Sequence, residues 1–436
     1  MIHMLLITII KYYKRGIMNK HLVYPAQVST QSFGRLQVNA FTEVGFRPIP
    51  NATVTISYTN DPGTTIEEIT TNDVGQTEEV ELPAPPLDYS LEPNSDQPYS
   101  NYTVRVTAPE FEQIIVDGTE ILPDVLAIQN TNLREAAEVA EHTFVVSPHT
   151  LYGDYPPKIA EDEIKDIEET GEIVLSQVVV PEFVIVHDGP PASPAENYYV
   201  RFRDYIKNVA SSEIYATWPT TTIQANIFAI LSFTLNRVFT EWYRNQGYNF
   251  TITSSTAYDH KFIPGRNYYR NIALEVDALF TNYLSRPNVI QPILTQYCDG
   301  NRVQCPGWMT QWGSKYLGDQ GYDPIGILRY FYGENMFINT APVVAGVPAS
   351  FPGYNLTIGS SGEPVRMIQN QINVISDSFP AIPKVVADGN FGQQTADAVS
   401  TFQSVFGLPA NGIVDFPTWY RISEIYVATS RIAELV

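Results

Sequence analysis

From residue 34 to about residue 133, apolar and polar positions alternate: Leu36, Val38 and Ala40, then Val54, Ile56 and Tyr58, then Tyr102, Val104 and Val106. A period of two turns one face of each run inward, and Asp61-Pro-Gly63 and Pro83-Ala-Pro-Pro86 supply turns between runs. A small antiparallel β-sandwich is expected there. Beyond it, Arg134-Glu-Ala-Ala-Glu-Val-Ala-Glu141 predicts a short helix, and prolines 148, 156 and 157 lead into an acidic run over residues 161–172. By composition, residues 134–177 read as a linker.

A second globular unit begins with the strand-like run 178–186, followed by a Gly/Pro cluster at 189–194 and the apolar stretch 198–206. Ile223, Ile227, Ile230, Leu231, Thr234, Leu235, Val238 and Trp242 then keep one apolar face over several turns, which predicts a long helix with Thr220 to Thr222 as candidate caps. Near the end of the chain, Val365, Ile368, Ile372 and Ile375 recur at helical spacing, as do Ala398, Val399, Phe402 and Val405. The pairs Asp388-Gly389 and Asn411-Gly412 tolerate positive φ, so a third helix from about Thr418 can fold back on the first two. The expected architecture is multidomain α+β. Its parts are an unstructured or over-extended start over 1–17, a β-sandwich over 18–133, an acidic linker over 134–177, an α+β unit over 178–345 and a three-helix lobe over 346–436.

Length fits two to four domains, and 44% hydrophobic with 12% aromatic content marks a globular chain. The net charge of -21 argues against nucleic acid and anionic membranes as partners, because both call for clustered Lys and Arg. Most of the acidity precedes the second unit: residues 1–177 hold 27 Asp and Glu against 10 Lys and Arg, and the rest hold 20 against 16. The run at 161–172 is therefore either a solvated segment or a removable, inhibitory one. Cys298 and Cys305, with six residues between them, suit a small disulfide loop or two free thiols better than zinc, which would need further ligands. The apolar run at 4–10 is too short to span a bilayer, and Met18 would make an ordinary start.

One carboxyl stands out. Glu213 falls where a first short helix should end, beside a large apolar helix, and partial desolvation there would raise its pKa and keep it protonated as an acid. Tyr205, Val209, Ser212, Glu213, Trp218 and Pro219, together with the following helix, resemble the SpoIID/LytB catalytic domain of sporulation wall hydrolases. The later block Gly307-Trp-Met-Thr-Gln-Trp-Gly-Ser-Lys315, with the helix ending in Tyr330-Phe-Tyr-Gly333, is similar to the same family's second segment, so the resemblance covers roughly 198–340. Gly359-Ser-Ser-Gly-Glu-Pro-Val-Arg-Met-Ile-Gln369, Asp388-Gly-Asn-Phe-Gly392, Thr395-Ala-Asp-Ala-Val-Ser-Thr-Phe-Gln403 and Asn411-Gly-Ile-Val-Asp-Phe-Pro-Thr-Trp419 resemble the peptidoglycan-binding type 1 module. The first sandwich looks like the transthyretin-like, carboxypeptidase-regulatory type of module.

As a whole the chain is similar to the clostridial spore cortex-lytic enzymes. That resemblance implies a cell-wall protein of the spore cortex that acts in germination. It would be made as a proenzyme, cut by a serine protease near Ser176-Gln-Val178, and would then degrade cortex peptidoglycan as a lytic transglycosylase without a cofactor. Glu213 would protonate the glycosidic oxygen and then act as base while the muramyl 6-hydroxyl closes a 1,6-anhydro ring. Asp259 is the candidate for the second carboxylate that ordinary hydrolysis would want about 5–10 Å away. Where the family carries a Ser/Thr-Ser-Gly-Gly segment, this chain has Thr295-Gln-Tyr-Cys-Asp-Gly300, which leaves Tyr297 or Thr295 as the partner of Glu213. His260 is expected either in the groove or as a structural histidine, Gln311 and Trp312 on or under the groove, and Asp388, Phe391 and Trp419 on the wall-binding lobe. The alternatives are an N-acetylglucosaminidase and a non-catalytic wall-binding protein. A zinc amidase is disfavoured, since His187 and His260 are the only histidines after residue 177.

Overall fold

The computed structural model describes residues 32–136, 140–165 and 176–430. The apolar run at 4–10, the start at Met18 and positions 166–172 of the acidic run lie outside the described residues. The architecture is multidomain α+β, β-rich at its N-terminal end and helical at its C-terminal end.

The N-terminal part holds strands β1 (Ser32–Thr42), β2 (Thr53–Tyr58), β3 (Asp61–Thr70), β4 (Val80–Ala84), β5 (Ser100–Thr107), β6 (Gln113–Ile121), β7 (Leu126–Leu133) and β8 (Glu141–Val145). One sheet runs β4-β1-β7 and the other β3-β2-β5-β6-β8. The alternating positions do what their period requires: Leu36, Val38, Ala40, Val54, Ile56, Tyr102, Val104 and Val106 are all fully buried between the sheets. The sheets are mixed rather than purely antiparallel, since β1 pairs with β7, and β6 with β8, in parallel.

The helix expected over 134–141 is corrected at its described positions, 134–136 and 140–141, while positions 137–139 lie outside the described residues. Glu135 bridges to Phe111, and Glu141 opens β8 along β6. The open edge of β6 offers a row of backbone donors and acceptors, and satisfying them outweighs a helix preference spread over only eight residues.

The central unit comprises β9 (Val179–Val180), β10 (Phe183–His187), β11 (Asn197–Arg201), β12 (Ile252–Thr253), β13 (Tyr268–Tyr269), β14 (Asn282–Ser285), β15 (Tyr297–Cys298), β16 (Met309–Thr310), β17 (Phe337–Thr340) and β18 (Val343–Val344). Its helices are α1 (Phe202–Glu213), α2 (Thr220–Phe239), α3 (Arg270–Leu279), α4 (Gln311–Asp319) and α5 (Pro324–Tyr332). Pro181 separates β9 from β10 in the run that reads as one strand, because it cannot donate to a ladder. Helix α2 is buried on nearly every side, with α1, α3, α4 and α5 packed around it. Thr220 to Thr222 form its first turn rather than its cap. Pro219 occupies the cap position without a side-chain bond, and Thr222 Oγ1 instead donates to the Ser314 carbonyl at 3.3 Å.

The sandwich is built into this unit. Strand β13 adds antiparallel to the outer edge of β7. Beside it, Arg266 and Glu120 form an ion pair at 2.7 Å with both side chains buried, and Asn267 exchanges two hydrogen bonds with the Glu120 backbone. Arg266 also donates to the carbonyl of Ser211, near the C-terminal end of α1.

The C-terminal lobe contains α6 (Glu363–Ser378), α7 (Gln393–Val405) and α8 (Phe416–Ser430) as expected, with Gly389 and Gly412 both at positive φ. Two buried glutamines hold it together in the same way. Gln369 accepts from the N–H of Gly389 and donates to the Asn390 carbonyl and to Thr395 in α7. Gln403 accepts from the N–H of Gly412 and donates to the Ile413 carbonyl and to Thr418 in α8. The lobe joins the central unit through Phe280, packed on Phe416 and Tyr420, and through buried Arg203, which pairs with Asp277 of α3 and Glu424 of α8.

Because Arg266 cannot shed its charge, Glu120→Gln leaves a buried guanidinium without its counter-ion. It should cost about 3–5 kcal/mol. Urea unfolding of the full chain is expected to show one earlier transition; an unchanged midpoint would mean that the sandwich and the central unit unfold independently.

Candidate active site

Glu213 is the last residue of α1, and its side chain is fully buried. Its carboxylate accepts the Tyr297 hydroxyl in a short hydrogen bond and the Lys261 backbone N–H at 2.6 Å. Gln311 Nε2 donates to the Glu213 carbonyl at 2.9 Å and reaches the carboxylate at 3.5 Å. Burial raises the Glu213 pKa above the usual carboxylate range; the Lys158 ammonium, the Tyr297 bond and the Lys261 N–H pull it only part of the way back.

Local folding explains why these three side chains meet. Strands β15 and β16 pair in parallel, and the Cys298–Cys305 disulfide closes the loop between them. That pairing sets Tyr297 beside the start of α4, where Thr310 caps the helix by accepting from Gly313 N–H and Gln311 is the first helical residue. His260 stacks over the Tyr297 ring at 5.8 Å, and its Nδ1 is hydrogen-bonded to the Tyr205 hydroxyl at 3.1 Å. Its Nε2 is buried without a hydrogen-bond partner among the described residues. Burial, and then the nearby Lys158 and Arg237 cations, hold the imidazole well below its usual pKa and hence neutral.

The expected groove position of Asp259 is corrected. Its carboxylate is fully buried and accepts four hydrogen bonds: from Arg237 Nε at 2.7 Å, Tyr243 Oη at 2.6 Å, and Thr253 N and Oγ1 at 2.9 and 2.7 Å. Thr295, the other candidate partner of Glu213, donates instead to the Ala229 carbonyl. Trp312 is half-buried against Trp218 and Tyr215, beside a cavity of about 120 Å³ whose opposite wall is the sandwich segment around Glu92 to Asp96. In the C-terminal lobe, Phe391 and Trp419 are 2% and 1% exposed, so they pack the core and cannot touch glycan. Trp419 Nε1 donates to the Ala349 carbonyl. Asp388 is exposed, and its carboxylate accepts from Asn390 N and Gln369 Nε2, bonds that stabilise the charged form and lower its pKa.

Residues 155–165, read from composition as part of a linker, form a strap across this site. Tyr155 is buried, and its hydroxyl has no hydrogen-bond partner among the described residues. Lys158 leaves part of its stem at the surface and sinks its ammonium against the Asp259 carbonyl, 4.9 Å from the centre of the Tyr297 ring. Burial lowers the pKa of that ammonium against the pull of Glu213 and Asp259. Glu161 forms a bidentate pair with buried Arg237, at 2.6 and 3.0 Å, and also binds Lys165 at 2.6 Å. The one signal of this in the sequence was the pair of lysines, 158 and 165, set within so acidic a stretch.

Residues 361–422 match the family model described as "Putative peptidoglycan binding domain". The C-terminal lobe is a peptidoglycan-binding domain. The match is confined to that lobe. The zinc D-Ala-D-Ala carboxypeptidase of Streptomyces albus G is 39% identical over 71 residues, 16% of this chain and 26% of that protein, so the chain spans about a quarter of that relative's length. Among solved structures, the minor pilin GBS52 of Streptococcus agalactiae is 9% identical, over 25% of this chain and 47% of its own, with a TM-score of 0.18. Catechol 1,2-dioxygenase of Pseudomonas arvilla C-1 is 14% identical over 26% and 55%, with a TM-score of 0.17. Scores this low bear on neither fold nor chemistry. Among the described residues no group of three or more His, Cys, Asp and Glu could hold a metal ion, and no helix is long and apolar enough to cross a membrane.

The Tyr297 hydroxyl donates to the ionised form of Glu213 and so favours it. Tyr297→Phe is expected to move the Glu213 titration to higher pH, read by carbon-13 NMR of labelled glutamate; a shift to lower pH would mean the hydroxyl does not donate to Glu213.

Proposed function

We propose that the protein is a peptidoglycan lytic transglycosylase of the spore cortex, held as a proenzyme and activated by a serine protease during germination. The observation that carries this reading is the contrast between two buried carboxyls. Glu213 has a raised pKa and no cation bonded to it, whereas Asp259 is engaged by Arg237, Tyr243 and Thr253. A site with one available acid/base carboxyl suits intramolecular ring closure better than hydrolysis, which wants a second carboxylate to serve a water or the sugar.

In the proposed reaction, Glu213 gives its proton to the glycosidic oxygen on C1 of N-acetylmuramic acid as the C1–O bond breaks. The 6-hydroxyl oxygen then bonds to C1, its proton passes to Glu213, and the acid is regenerated. Tyr297 and Gln311 hold the carboxyl and the backbone beside it, and neutral His260 stacks on the Tyr297 ring. The cortex, the germination role and the protease follow from the resemblance to the spore cortex-lytic enzymes, with the peptidoglycan-binding domain as independent support for the substrate. The strap supports the proenzyme, because Lys158 and Tyr155 fill the space over a Glu213 that is fully buried.

The test is digestion of purified cortex peptidoglycan by the full chain, intact or cut within residues 166–177, with muropeptides read by mass spectrometry. The cut chain should release products lighter than hydrolytic ones by the mass of one water, and Glu213→Gln should slow this by a factor on the order of 100 or more. Reducing-end products would point to an N-acetylglucosaminidase, and no soluble product to a wall-binding protein. The intact chain is expected to be at least roughly ten times slower; equal rates would remove the proenzyme from the proposal.

A further inference from the structure

Beneath the strap, beyond Lys158, the central unit presents two buried glutamines that handle the strap's backbone in the same way. Gln296, 1% exposed, donates from Nε2 to the Ile159 carbonyl at 2.7 Å and accepts the Glu161 N–H at 2.9 Å. Gln291, 5% exposed, donates to the Lys165 carbonyl at 3.1 Å and accepts the Lys165 N–H at 2.6 Å. Each side-chain amide thus donates to one backbone C=O and accepts one backbone N–H, drawn from two different peptide units. Asn236 of α2 steadies the second of them, donating to the Pro292 carbonyl and reaching Gln291 Oε1 at 3.4 Å. Trp242, half-buried, meets the same strap residue that Gln291 holds, with the Lys165 ammonium 4.3 Å from the centre of its ring.

We infer that Gln296, Gln291 and Trp242 form the floor of a glycan subsite that reads the acetamido groups of N-acetylated amino sugars, and that strap residues 159–165 occupy it by offering peptide amides in their place. This rests on reading Glu213 as the acid of a glycan-cleaving site. Three observations carry it. The floor is continuous with the catalytic pair, since Gln296 precedes Tyr297 in the chain and Lys158 precedes Ile159 in the strap. An acetamido group offers the same two kinds of partner, a carbonyl that accepts and an N–H that donates, so each glutamine can bond one of them with the amide it now turns to the strap. Buried amides stripped of partners are unfavourable, so a floor whose cover is removed calls for an occupant of the same hydrogen-bonding complement. Trp242 favours a sugar over a stem peptide as that occupant, because once Lys165 leaves, its ring offers a flat apolar face to a pyranose.

The experiment uses the full chain with a protease site introduced within residues 166–175, Glu161→Ala to loosen the strap and Glu213→Gln to prevent turnover. Binding of the N-acetylglucosamine tetramer and of its de-N-acetylated counterpart is measured by calorimetry before and after cutting. The acetylated tetramer is expected to bind the cut chain at least roughly ten times more tightly than the uncut chain and than the de-N-acetylated tetramer binds the cut chain. Gln296→Ala and Gln291→Ala should each weaken acetylated binding by roughly 3- to 10-fold. Gln296→Glu and Gln291→Glu keep the side-chain shape, so they decide the matter if an alanine variant melts early. They should narrow or reverse the preference, because a carboxylate repels no ammonium and cannot donate to an acetyl oxygen. A preference untouched by these substitutions, equal binding before and after cutting, no binding, or binding of a stem peptide alone would each overturn the inference. Restoring Glu213 separates the two readings: acetyl-dependent binding without cleavage sinks the lytic activity, and cleavage with an unchanged preference sinks the subsite.

Discussion

A guanidinium fully buried in the central helix has to be neutralised where it stands, because arginine does not give up its proton. Arg237 is that group, and the rest of the site is arranged around its two carboxylates. Asp259 comes from the central unit itself and Glu161 from the strap. Docking Glu161 on Arg237 sets where the preceding residues fall, and so brings Lys158 to the Tyr297 ring beside Glu213. The same pair explains why Asp259 is so heavily bonded. If the strap departs, it becomes the remaining counter-charge of Arg237, and three other donors already hold it in place for that role.

Glu213 is managed by the opposite arrangement. It is buried with no cation bonded to it among the described residues, and the charge that acts on it most strongly is an ammonium borne by the strap. The strap therefore does two things at once: it fills the space above the carboxyl, and its positive charge favours the ionised form, the wrong form for an acid. The sandwich contributes separately. Through Arg266 and Ser211 it braces the end of α1, and its segment near Ser90 receives the Trp218 indole N–H alongside the cavity at Trp312.

Much of the fold was legible because local period and tertiary burial agree: the sandwich strands at Leu36, Val54 and Tyr102, the central helix, and the three C-terminal helices with their Gly389 and Gly412 turns. The segment 134–141 was misread because the open edge of β6 is a tertiary fact that no eight-residue pattern carries. Glu213 and Gln311 stand in segments that resemble a family motif, whereas Tyr297 was one of two candidates at a place where this chain departs from that motif. The capture of Asp259 could not, since Arg237 lies 22 residues away on another element. Phe391 and Trp419 show how aromatic residues in a binding module can invite a ligand role when their bulk is core packing. The strap was hidden by its composition: acidic, proline-flanked residues read as solvated chain, yet two lysines and a glutamate fold it onto the protein.

The paired glutamines of the C-terminal lobe have a mechanical meaning. Helix α7 is latched at both ends, receiving Gln369 at Thr395 and sending Gln403 to Thr418, so it cannot leave without breaking both latches. A wall-binding module joined to a second folded unit is pulled along its chain whenever the network it grips is strained. Here the tension would reach two buried amide clasps, each with several bonds sharing the load, before it could peel away any single helix.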